Sequence, residues 1–323
     1  MAHPTAPTSP FDPDLVCQAP PGPFRPGPQW GLEEARSCPP GSEWLDVRIH
    51  VGPEDADSIL SELLATLRGI TVQAWDRWFF VRGTDSGPHL RLRFHGVPSQ
   101  LGGNLLPLIR RILAPHLRSG TCWKLQVDTY EREIERFGGL EGMLLAEAWF
   151  EQDSERVLDL LRACGREAGA GLRWQQAFRG LDTLLSHLGL SLAGKLRVVD
   201  AMRDGLCPDV DGGPRLHLGE RYQALRRDLE AWIPGPGQRS PAILPDPRLH
   251  RQRTCLNRLA GASVEGRLSQ PLEELASSLA HLLVNRYIRA SHGAHERVLS
   301  DFLGRVYRSQ LARVGLSRDK MVG

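Results

Sequence analysis

Four side chains that could bind negative charge fall on one face of a predicted strand. The segment Trp78 to Phe94 reads WFFVRGTDSGPHLRLRF, and its second half alternates polar and apolar residues. The alternation sets a polar row against an apolar row: His89, Arg91, Arg93 and His95 against Leu90, Leu92 and Phe94. Because a two-residue period is typical of a half-buried strand, the polar row indicates a site for an anionic group. A solvated outer face with alternating basic residues is the competing interpretation.

A second candidate set lies on a predicted helix near the C-terminus. Within Leu272 to Ile288, LEELASSLAHLLVNRYI, a polar stripe runs at steps of four, three and four residues: Glu274, Ser278, His281 and Asn285. Residues at this spacing share one face of a helix. In so apolar a helix the stripe indicates a cavity wall, although the solvent side of an amphipathic helix has the same period. Tyr287 lies about 120° around the helix from His281, so it need not belong to the same site.

Charged residues also follow the last predicted strand of the first half. Tyr130 to Gly139 reads YEREIERFGG, in which the strand gives way to a Gly-Gly corner before a helix at Leu140. Loops beyond strand ends are where ligand-binding groups collect. A solvated run of salt-bridging residues has the same composition, so the pattern alone leaves both interpretations open.

Composition narrows the class of protein. The chain has 323 residues with 41% apolar and 24% charged residues, enough for one large domain or two small ones. A net charge of +2 does not favour direct nucleic-acid binding through a basic surface. No apolar run approaches the roughly 20 residues of a membrane helix, and the N-terminus lacks a secretory pattern. We therefore expect a cytoplasmic protein that binds no membrane.

No sequence motif calls for a cofactor or a metal ion. The cysteines never reach a CxxC or CxxH spacing, which argues against zinc and a disulfide framework and predicts reduced, mostly buried thiols. The sequence has no glycine-rich phosphate loop, GxSxG elbow, HExxH motif or dinucleotide fingerprint. The cysteines concerned are Cys17, Cys38, Cys122, Cys164, Cys207 and Cys255.

The elements that must position the candidate residues follow a legible order in the first half. The order β-α-β-β-α-β predicts an α+β protein with a ferredoxin-like antiparallel sheet. Such a sheet carries its helices on one face and leaves the other face free. The predicted elements are a strand at Trp44 to Val51, a helix at Pro53 to Leu67, a hairpin of Trp75 to Arg82 with His89 to His95, a helix at Pro98 to Leu117 and a strand at Cys122 to Tyr130.

A proline-rich arm precedes these elements. Residues 1–42 hold many prolines and few periodic apolar positions, so we expect them to be extended or disordered. If the arm docks on a partner, Phe24, Trp30 and Leu32 are its apolar anchors. We expect residues 43–323 to form a single domain.

The second part of that domain, residues 131–323, is predicted to be mainly helical, whereas residues 43–130 supply the sheet. The helices should pack on the open sheet face and place Arg91 and Arg93 in the seam. Turn-prone stretches at 205–215 and 234–247 interrupt them. The predicted helices are Leu140 to Phe150, Glu155 to Cys164, Trp174 to Leu188, Arg221 to Trp232, Leu272 to Ile288 and Glu296 to Leu311.

Four motifs together resemble a known family. WFFVR with GPHLRLRF, then YEREIERFGG, then AEAWFEQDS, then HLLVNR occur in this order over roughly residues 43–311. They resemble the C-terminal, glutamate-elimination domain of class I lantibiotic dehydratases, which also occurs as separate chains in thiopeptide biosynthesis. Each motif alone would be weak, but their order makes the resemblance specific.

The resemblance implies maturation of a ribosomally made peptide. In the family, a partner esterifies Ser or Thr of a precursor peptide with glutamate taken from glutamyl-tRNA. The domain then expels the glutamate and leaves dehydroalanine or dehydrobutyrine. The family uses the arginines of the LRLR strand, the arginine of YxRExxR and the histidine of HxxxNR, which correspond here to Arg91, Arg93, Arg132 and His281.

Elimination suits these residue types. Removal of the Cα proton of an esterified serine creates an enolate, and departure of the ester releases a carboxylate. Fixed guanidinium groups stabilise both charges. Histidine, with a reference pKa of about 6.5, can take the proton near neutral pH, so we predict His281 as the base and the three arginines as anion-binding groups. The predicted substrate-binding residues are His89, Ser278, Asn285, Tyr287 and Tyr130.

Two alternatives stay open beside elimination. Chains resembling this domain also act as pyridine synthases, which join two dehydroalanines by a formal 4+2 cycloaddition, close a macrocycle and release the leader peptide. Hydroxyl groups and a general acid would then matter more, and Ser278, Tyr287 and His281 are the candidates. Tyr287 after NR and Gly83-Thr84 after FVR depart from the eliminating pattern and favour this reaction. The second alternative is a non-catalytic subunit that binds the precursor.

The predicted partners are the same for either reaction. The substrate is a precursor peptide with a leader segment, bound by main-chain pairing to an exposed strand edge. A glutamylating dehydratase subunit would supply the esterified peptide. The sequence leaves open whether the chain also forms a homodimer.

Overall fold

A computed structural model describes residues 36–70, 74–164, 169–205, 218–233, 235 and 249–322, without the side chains of 164, 170 and 314–322. The predicted arm anchors Phe24, Trp30 and Leu32 lie outside these ranges, as do most of the two turn-prone stretches. The described chain is a mixed α/β protein, with antiparallel sheet in its N-terminal half and helices in the remainder. Its helices include none with the length and apolar character to cross a membrane. Within the same ranges, no three His, Cys, Asp or Glu side chains are placed to hold a metal ion.

Antiparallel pairing organises the strands. Four of them form the main sheet in the order β3-β4-β2-β5, and every neighbouring pair is antiparallel. The register places Asp46 opposite Arg93, and Arg48 opposite Arg91. Directly opposed residues share a face, so acidic and basic side chains line one face together. The strands are β1 (Ser37–Cys38), β2 (Trp44–Val51), β3 (Arg77–Gly83), β4 (His89–His95), β5 (Cys122–Asp128) and β6 (Tyr130–Glu131).

The short strands β1 and β6 pair with each other outside the main sheet. Ser37 and Cys38 therefore belong to the fold, although they fall within residues 1–42, which were expected to form the arm. Cys38 is buried in the core, and the Arg132 N–H donates to the Arg36 carbonyl. The prolines that follow Cys38 form a turn between β1 and β2, and proline content alone does not separate a turn from an arm.

Helices occupy most of the remaining chain. The predicted helix at Pro98 to Leu117 begins as a single turn at Pro98–Gln100, which is followed by a π-helical segment, Leu101–Leu105, that contains Gly102 and Gly103. The helices are α1 (Pro53–Gly69), α2 (Leu106–Ser119), α3 (Leu140–Cys164), α4 (Ala170–His187), α5 (Leu192–Gly205), α6 (Leu218–Trp232), α7 (Leu249–Val264), α8 (Leu272–Tyr287) and α9 (His292–Val322).

The second-half helices differ from the prediction in continuity and number. The helices predicted at Leu140 to Phe150 and Glu155 to Cys164 form one continuous helix, α3. The polar residues between them do not form a loop, because most of them are buried against other elements. The hydrophobic pattern misses α5 and α7, since each buries few large apolar side chains. Those buried residues are Val198, Val199 and Met202 in α5, and Leu256, Leu259 and Ala262 in α7.

Helix α1 covers the apolar face of the sheet. Arg82 of β3 lies opposite Leu90 of β4, so the two share a face. The Arg82 guanidinium pairs with Asp57 of α1 at 2.7 Å, and α1 also contacts β4. Leu90, Leu92 and Phe94 are fully buried under this layer.

Helix α3 packs on the opposite, polar face. The ring centroid of Phe150 lies 5.2 Å from that of Phe79, which is opposite Arg93 in the register. The side chains of Arg93 and Arg91 are 13% and 20% exposed. The predicted seam between sheet and second-half helices is therefore present, and Arg93 lies deeper in it than Arg91.

Side chains of α3 and α8 occupy the outer edge of β3. The Asn285 amide accepts a hydrogen bond from the Arg82 N–H and donates one to the Arg82 carbonyl, both at 2.8 Å. Arg286 Nε donates to the Phe80 carbonyl at 2.9 Å, and Ser154 Oγ accepts from the Phe80 N–H at 3.2 Å. An unpaired strand edge can pair with a strand of another chain. Here the outward backbone groups of Phe80 and Arg82 are already hydrogen-bonded to side chains, so they are not available for such pairing. The Asn-Arg pair of HLLVNR thus has a structural role.

Glu151 lies beside the same edge, near the backbone amide of Trp78. Burial raises the pKa of its carboxyl from 4.5 to about 7, and the charge of Arg77 offsets part of that effect. Between these pH values the folded chain keeps a proton that the unfolded chain releases. The free energy of unfolding therefore falls as pH rises from 4.5 to about 7.

Glu151→Gln is expected to remove this pH dependence. The pKa difference corresponds to about 3 kcal/mol, at about 1.4 kcal/mol per pH unit. In urea unfolding, the variant and the original chain should be similarly stable at about pH 4, and the variant should be more stable at about pH 8. Glu220→Gln, at an exposed position, is the matched control. Equal stability of Glu151→Gln and the original chain at the higher pH would contradict the expectation.

Gly83 at the end of β3 makes room for His89. The two residues are directly opposed, and a Cβ on residue 83 would overlap the His89 imidazole. That imidazole is buried and its Nδ1 lies 2.9 Å from the Gly87 carbonyl oxygen, so it cannot move without losing this contact.

Gly83→Ala should therefore lower the free energy of unfolding by about 1–3 kcal/mol, as overpacking does. Thermal or urea unfolding measures the loss. In a His89→Ala background the cost of the same change should shrink, because the overlapping ring is gone. Gly171→Ala is the control, since its Cβ would meet nothing within 4 Å. An equal cost in both backgrounds would mean that His89 is not the cause.

Candidate functional site

Asp46 of β2 joins the two arginines of the polar row. Arg91 Nη2 and Arg93 Nε each donate to Asp46 Oδ2 at 3.0 Å, and the Asp46 side chain is fully buried. Arg91 also pairs with Asp128 of β5 at 3.7 Å. Sequence reasoning missed both carboxylates, although the alternation of β2 already points Asp46 to the face that carries Arg91.

Tyr130 packs against this pair at the start of β6. The Arg93 guanidinium carbon lies 4.0 Å from the centroid of the Tyr130 ring and 5.5 Å from that of Phe79. The Tyr130 hydroxyl donates to Glu147 Oε1 at 2.9 Å. Burial, reinforced by the Glu147 charge, raises the pKa of Tyr130 well above its usual range. The hydroxyl therefore keeps its proton and acts as a donor.

Arg132 is bound by the same carboxylate. Arg132 Nε donates to Glu147 Oε1 at 2.7 Å, and Glu147 of α3 is fully buried. Burial disfavours the Arg132 cation, but the charge of Glu147 outweighs burial and raises the pKa of Arg132. These residues form one connected set, here called the arginine cluster: Arg91, Arg93, Arg132, Asp46, Tyr130 and Glu147.

The arginine cluster is neutralised from within the protein. Asp46 and Glu147 bind its guanidinium groups, and on the same face Arg48 pairs with Asp85 and Asp128. A substrate carboxylate must therefore share or displace an internal one. The sequence indicated the cations but not these partners, because the carboxylates come from β2, α3 and the ends of other strands.

The two histidines of the polar row do not belong to the arginine cluster. The His89 side chain is fully buried, and its ring lies 5.2 Å from that of His50. Burial, together with the His89 charge, lowers the pKa of His50. At the other end of the row, His95 Nδ1 lies 2.6 Å from Asp76 Oδ1.

His281 forms a second group with Glu296 of α9. Its Nδ1 lies 2.8 Å from Glu296 Oε2, and Glu296 is buried while the His281 side chain is 41% exposed. With the carboxylate accepting from Nδ1–H, the Nε2 atom keeps a lone pair that can accept a proton. Sequence reasoning did not identify Glu296, since it lies on another helix.

The other predicted residues of α8 have different surroundings. Asn285 is buried, and its side-chain amide pairs with the backbone of β3. Tyr287 is buried, and its backbone carbonyl accepts a hydrogen bond from Arg173 at 2.9 Å. Ser278 is half-buried. The residues of the polar stripe therefore contact different parts of the protein: His281 contacts α9, and Asn285 contacts β3.

The structure brings Arg91, Arg93, Arg132 and Tyr130 together and places His281 in a separate ion pair. Across the described residues, no hydrogen bond or ion pair of His281 reaches the arginine cluster. A reaction that used both groups would need a bound substrate between them.

Comparison with known proteins gives matches at the level of sequence. The model of the family described as lantibiotic biosynthesis dehydratase C-term matches residues 44–307. The chain is 30% identical over 129 residues to the nisin biosynthesis protein NisB of Lactococcus lactis subsp. lactis. It is 33% identical over 124 residues to the subtilin biosynthesis protein SpaB of Bacillus subtilis. These matches cover 40% and 38% of this chain but span 13% and 12% of those relatives.

Solved structures share the fold of this chain. The tRNA dependent lantibiotic dehydratase MibB from Microbispora sp. 107891 matches with a TM-score of 0.61 and 25% identity, over 84% of this chain and 28% of that chain. TsrL matches at 0.60 and 21% identity, over 84% and 95% of the two chains. The pyridine synthase TbtD from thiomuracin biosynthesis matches at 0.63 and 16% identity, over 83% and 98%. Since the family model spans most of its length, the chain belongs to the lantibiotic biosynthesis dehydratase C-terminal family.

Proposed function

We propose that this chain eliminates glutamate from glutamylated Ser or Thr of a leader-bearing precursor peptide and leaves dehydroalanine or dehydrobutyrine. Family membership supports a role in maturing a ribosomally made peptide. NisB and SpaB serve nisin and subtilin biosynthesis, and MibB is a tRNA dependent lantibiotic dehydratase. Over structural alignments of similar extent, the identity is 25% to MibB and 16% to TbtD, which favours elimination. The glutamylated peptide would come from a partner dehydratase subunit.

The proposed reaction breaks the Cα–H bond and the Cβ–O ester bond of the esterified residue and forms a Cα=Cβ bond. His281 Nε2 takes the Cα proton, and the ester electron pair leaves with glutamate as a carboxylate. Negative charge builds on the carbonyl oxygen next to Cα and then on the departing carboxylate. Guanidinium groups fixed near both positions lower the barrier.

The arginine cluster is the observation that carries the proposal. Its guanidinium groups are fixed in advance by buried carboxylates, so little reorganisation is needed when charge develops. Arg91 is the most exposed of the three, at 20% against 13% for Arg93 and 7% for Arg132. We assign the first contact with the glutamyl carboxylate to Arg91. Arg93 would support Arg91 through the Asp46 carboxylate that they share.

A cycloaddition that forms a pyridine ring is the second candidate. The likeness to TbtD supports it at the level of the fold, with a TM-score of 0.63. Neutralisation of the arginine cluster by internal carboxylates also favours it, because cycloaddition binds no glutamyl group. A precursor-binding subunit without activity is the third candidate.

One assay separates the three roles. The purified chain is incubated with a glutamylated precursor peptide and, in parallel, with a fully dehydrated azole-bearing peptide, and both are followed by mass. Loss of glutamate supports elimination. Loss of the leader with formation of a pyridine contradicts elimination and supports cycloaddition. No product in either arm, with measurable binding of the precursor, supports the binding role.

We further propose that the precursor peptide pairs with the outer edge of β5, since side chains fill the edge of β3. The Val51 N–H donates to the carbonyl of Pro88, the residue just before β4. Backbone groups alternate in direction along a strand, so the odd-numbered residues of β2 direct theirs toward β4 and the even-numbered residues direct theirs toward β5. In the register of β2 with β5, the backbone N–H and C=O groups of Trp123, Leu125 and Val127 therefore point away from β2, toward the outer edge of β5. Asp128 of β5 touches Arg91, so a peptide on this edge would lie beside the arginine cluster.

Val127→Pro should weaken binding of the precursor leader by roughly 2–10-fold, because it removes one outward N–H worth about 1 kcal/mol. Fluorescence anisotropy with a labelled leader peptide measures the dissociation constant. Val127→Ala keeps the N–H and serves as the matched control for lost packing. Unchanged affinity in Val127→Pro would exclude this edge as the docking site.

The main sheet also has a recognisable topology. We infer a ferredoxin-like, split βαβ arrangement. The strand order β3-β4-β2-β5, antiparallel throughout, supports it, as does the position of α1 between β2 and β3 along the chain.

A further inference from the structure

A cavity of about 660 Å³ lies between α1, α3, α7 and the start of β3. Trp75, Trp78, Glu151 and Gln152 are part of its wall. No residue of the arginine cluster lines it, and His281 does not line it either. The proposed elimination therefore leaves this cavity without a role.

Glu151 differs from the buried carboxylates of the described chain in having no ion pair. Each of the six buried carboxylates has a basic side chain within 3.0 Å, which is an arginine in five cases and the His281 imidazole in the sixth, whereas Glu151 is half-buried. The neighbouring Glu155 is occupied, since it accepts hydrogen bonds from Arg68 and from the Trp78 indole. The six paired carboxylates are Asp46, Asp57, Glu147, Asp153, Glu296 and Asp301.

The Gln152 side-chain oxygen is a second acceptor in the wall, and it has no hydrogen-bond donor. Gln152 is 9% exposed, and its Oε1 has no hydrogen-bond partner, although buried amide oxygens are normally paired. Its Nε2 lies 3.5 Å from Glu151 Oε2, which places the two acceptors side by side. An amide oxygen without a donor and a carboxylate without an ion pair, both next to indole rings, are suited to a donor that carries positive charge.

We propose that this cavity binds a protonated primary amine on an apolar stem, with the ammonium at Glu151 and Gln152 and the stem against Trp75 and Trp78. An ammonium group has three N–H donors and no acceptor, which fits a wall rich in acceptors. The amine comes either from a lysine side chain of a peptide or from a small free amine. Both sources share this chemistry, and the test separates them.

Binding of a cation at Glu151 should depend on pH. The carboxyl is about half protonated at pH 7 because burial raises its pKa to about 7. An incoming ammonium favours the ionised form, so binding releases up to about half a proton at this pH, and affinity rises between about pH 6 and 8. The charged or titratable groups around Glu151 are Asp76 and Arg77 before and in β3, Glu155 in α3, Arg68 in α1, and Arg251 and Cys255 in α7.

Titration calorimetry on the full chain tests the proposal with three probes. N-acetyl-lysine methylamide represents the peptide source, pentylamine the free amine, and N-acetyl-norleucine methylamide is the uncharged counterpart. Measurement in two buffers of different ionisation enthalpy reports the proton released. Glu151→Gln should weaken binding of the amines at least about tenfold and abolish proton release. This variant keeps an acceptor for the Trp78 amide, and Glu220→Gln is its charge-matched control.

The calorimetric results either support or overturn binding of an amine in this cavity. Saturable binding of either amine, lost in Glu151→Gln and retained in Glu220→Gln, supports the proposal, and the stronger amine identifies the source. Equal binding of the norleucine probe, or unchanged binding in Glu151→Gln, overturns it. Lack of saturation at about 10 mM probe also overturns it, because a Kd of about 1 mM already marks weak binding. None of these results depends on whether the chain eliminates glutamate.

Discussion

Replacing Asp57 by Asn is expected to lower the free energy of unfolding by about 3–5 kcal/mol, the usual cost of breaking a buried ion pair from one side. Asp57 of α1 is buried and binds Arg82 at 2.7 Å, Arg289 at 2.6 Å and also Arg173. Arg82 and Arg173 are themselves buried. A neutral amide would leave their charges without the carboxylate that compensates for lost hydration.

The same arginines also bind the end of α8, which enlarges the expected effect. Arg82 donates to the Arg286 carbonyl at 3.3 Å, and Arg173 donates to the Tyr287 carbonyl at 2.9 Å. These are carbonyls of the last helical turn, which cations stabilise. Asp57 therefore connects α1 through two arginines to β3, α4 and the helix that carries His281.

Urea unfolding at neutral pH measures the loss, with Glu54→Gln as the control. Glu54 also pairs with Arg289, but its side chain is 87% exposed, so its loss should cost well under 1 kcal/mol. A cost for Asp57→Asn below about 1 kcal/mol would contradict the assignment of Asp57 as a counter-ion.

Acid titration provides an independent check of Asp57. Burial opposes ionisation of the carboxyl, but the charges of Arg82 and Arg173 outweigh it and lower the pKa from 3.8 to about 2. Its contribution to stability is therefore complete above pH 3.8 and is lost as pH falls through about 2. Asp57→Asn should lack this part of the acid transition.

Local periodicity was sufficient to predict the strands that carry the candidate arginines. The alternation of β4 predicted which side chains face α3, because the two-residue period of a strand does not depend on the rest of the chain. The order of strands and helices in the N-terminal half was also predictable from local periodicity. Helix α8 was predictable from its apolar spacing, whereas α5 and α7 were not, since they bury few large apolar residues.

Long-range pairing was not predictable from one sequence. Asp46, Glu147 and Glu296 decide what Arg91, Arg132 and His281 can do, and each lies far from its partner along the chain. Asn285 has a contact of the same long-range kind. Its polar side chain seemed to line a cavity but replaces a missing strand at the edge of β3, a role that requires knowing where the sheet ends.

His281→Ala is expected to lower kcat for glutamate elimination by about 10²–10⁴-fold, the range for a positioned general base, with a much smaller change in KM. The reason is the geometry of the imidazole. Glu296 accepts from Nδ1, so Nε2 presents a lone pair on a partly exposed side chain. Glutamate release from a glutamylated peptide, followed by mass, measures the rate, and circular dichroism checks the fold. His250→Ala, an exposed histidine of α7, is the control.

Glu296→Gln separates a catalytic role of His281 from a structural one. Glutamine can still accept the Nδ1–H bond, so the ring keeps its orientation but loses the charge that stabilises the imidazolium formed on proton transfer. We therefore expect kcat to fall, by less than in His281→Ala, while KM and stability change little. Full elimination activity in His281→Ala would place the base elsewhere. Equal losses of stability and activity in both variants would make the His281–Glu296 pair a contact between α8 and α9 rather than part of the active site.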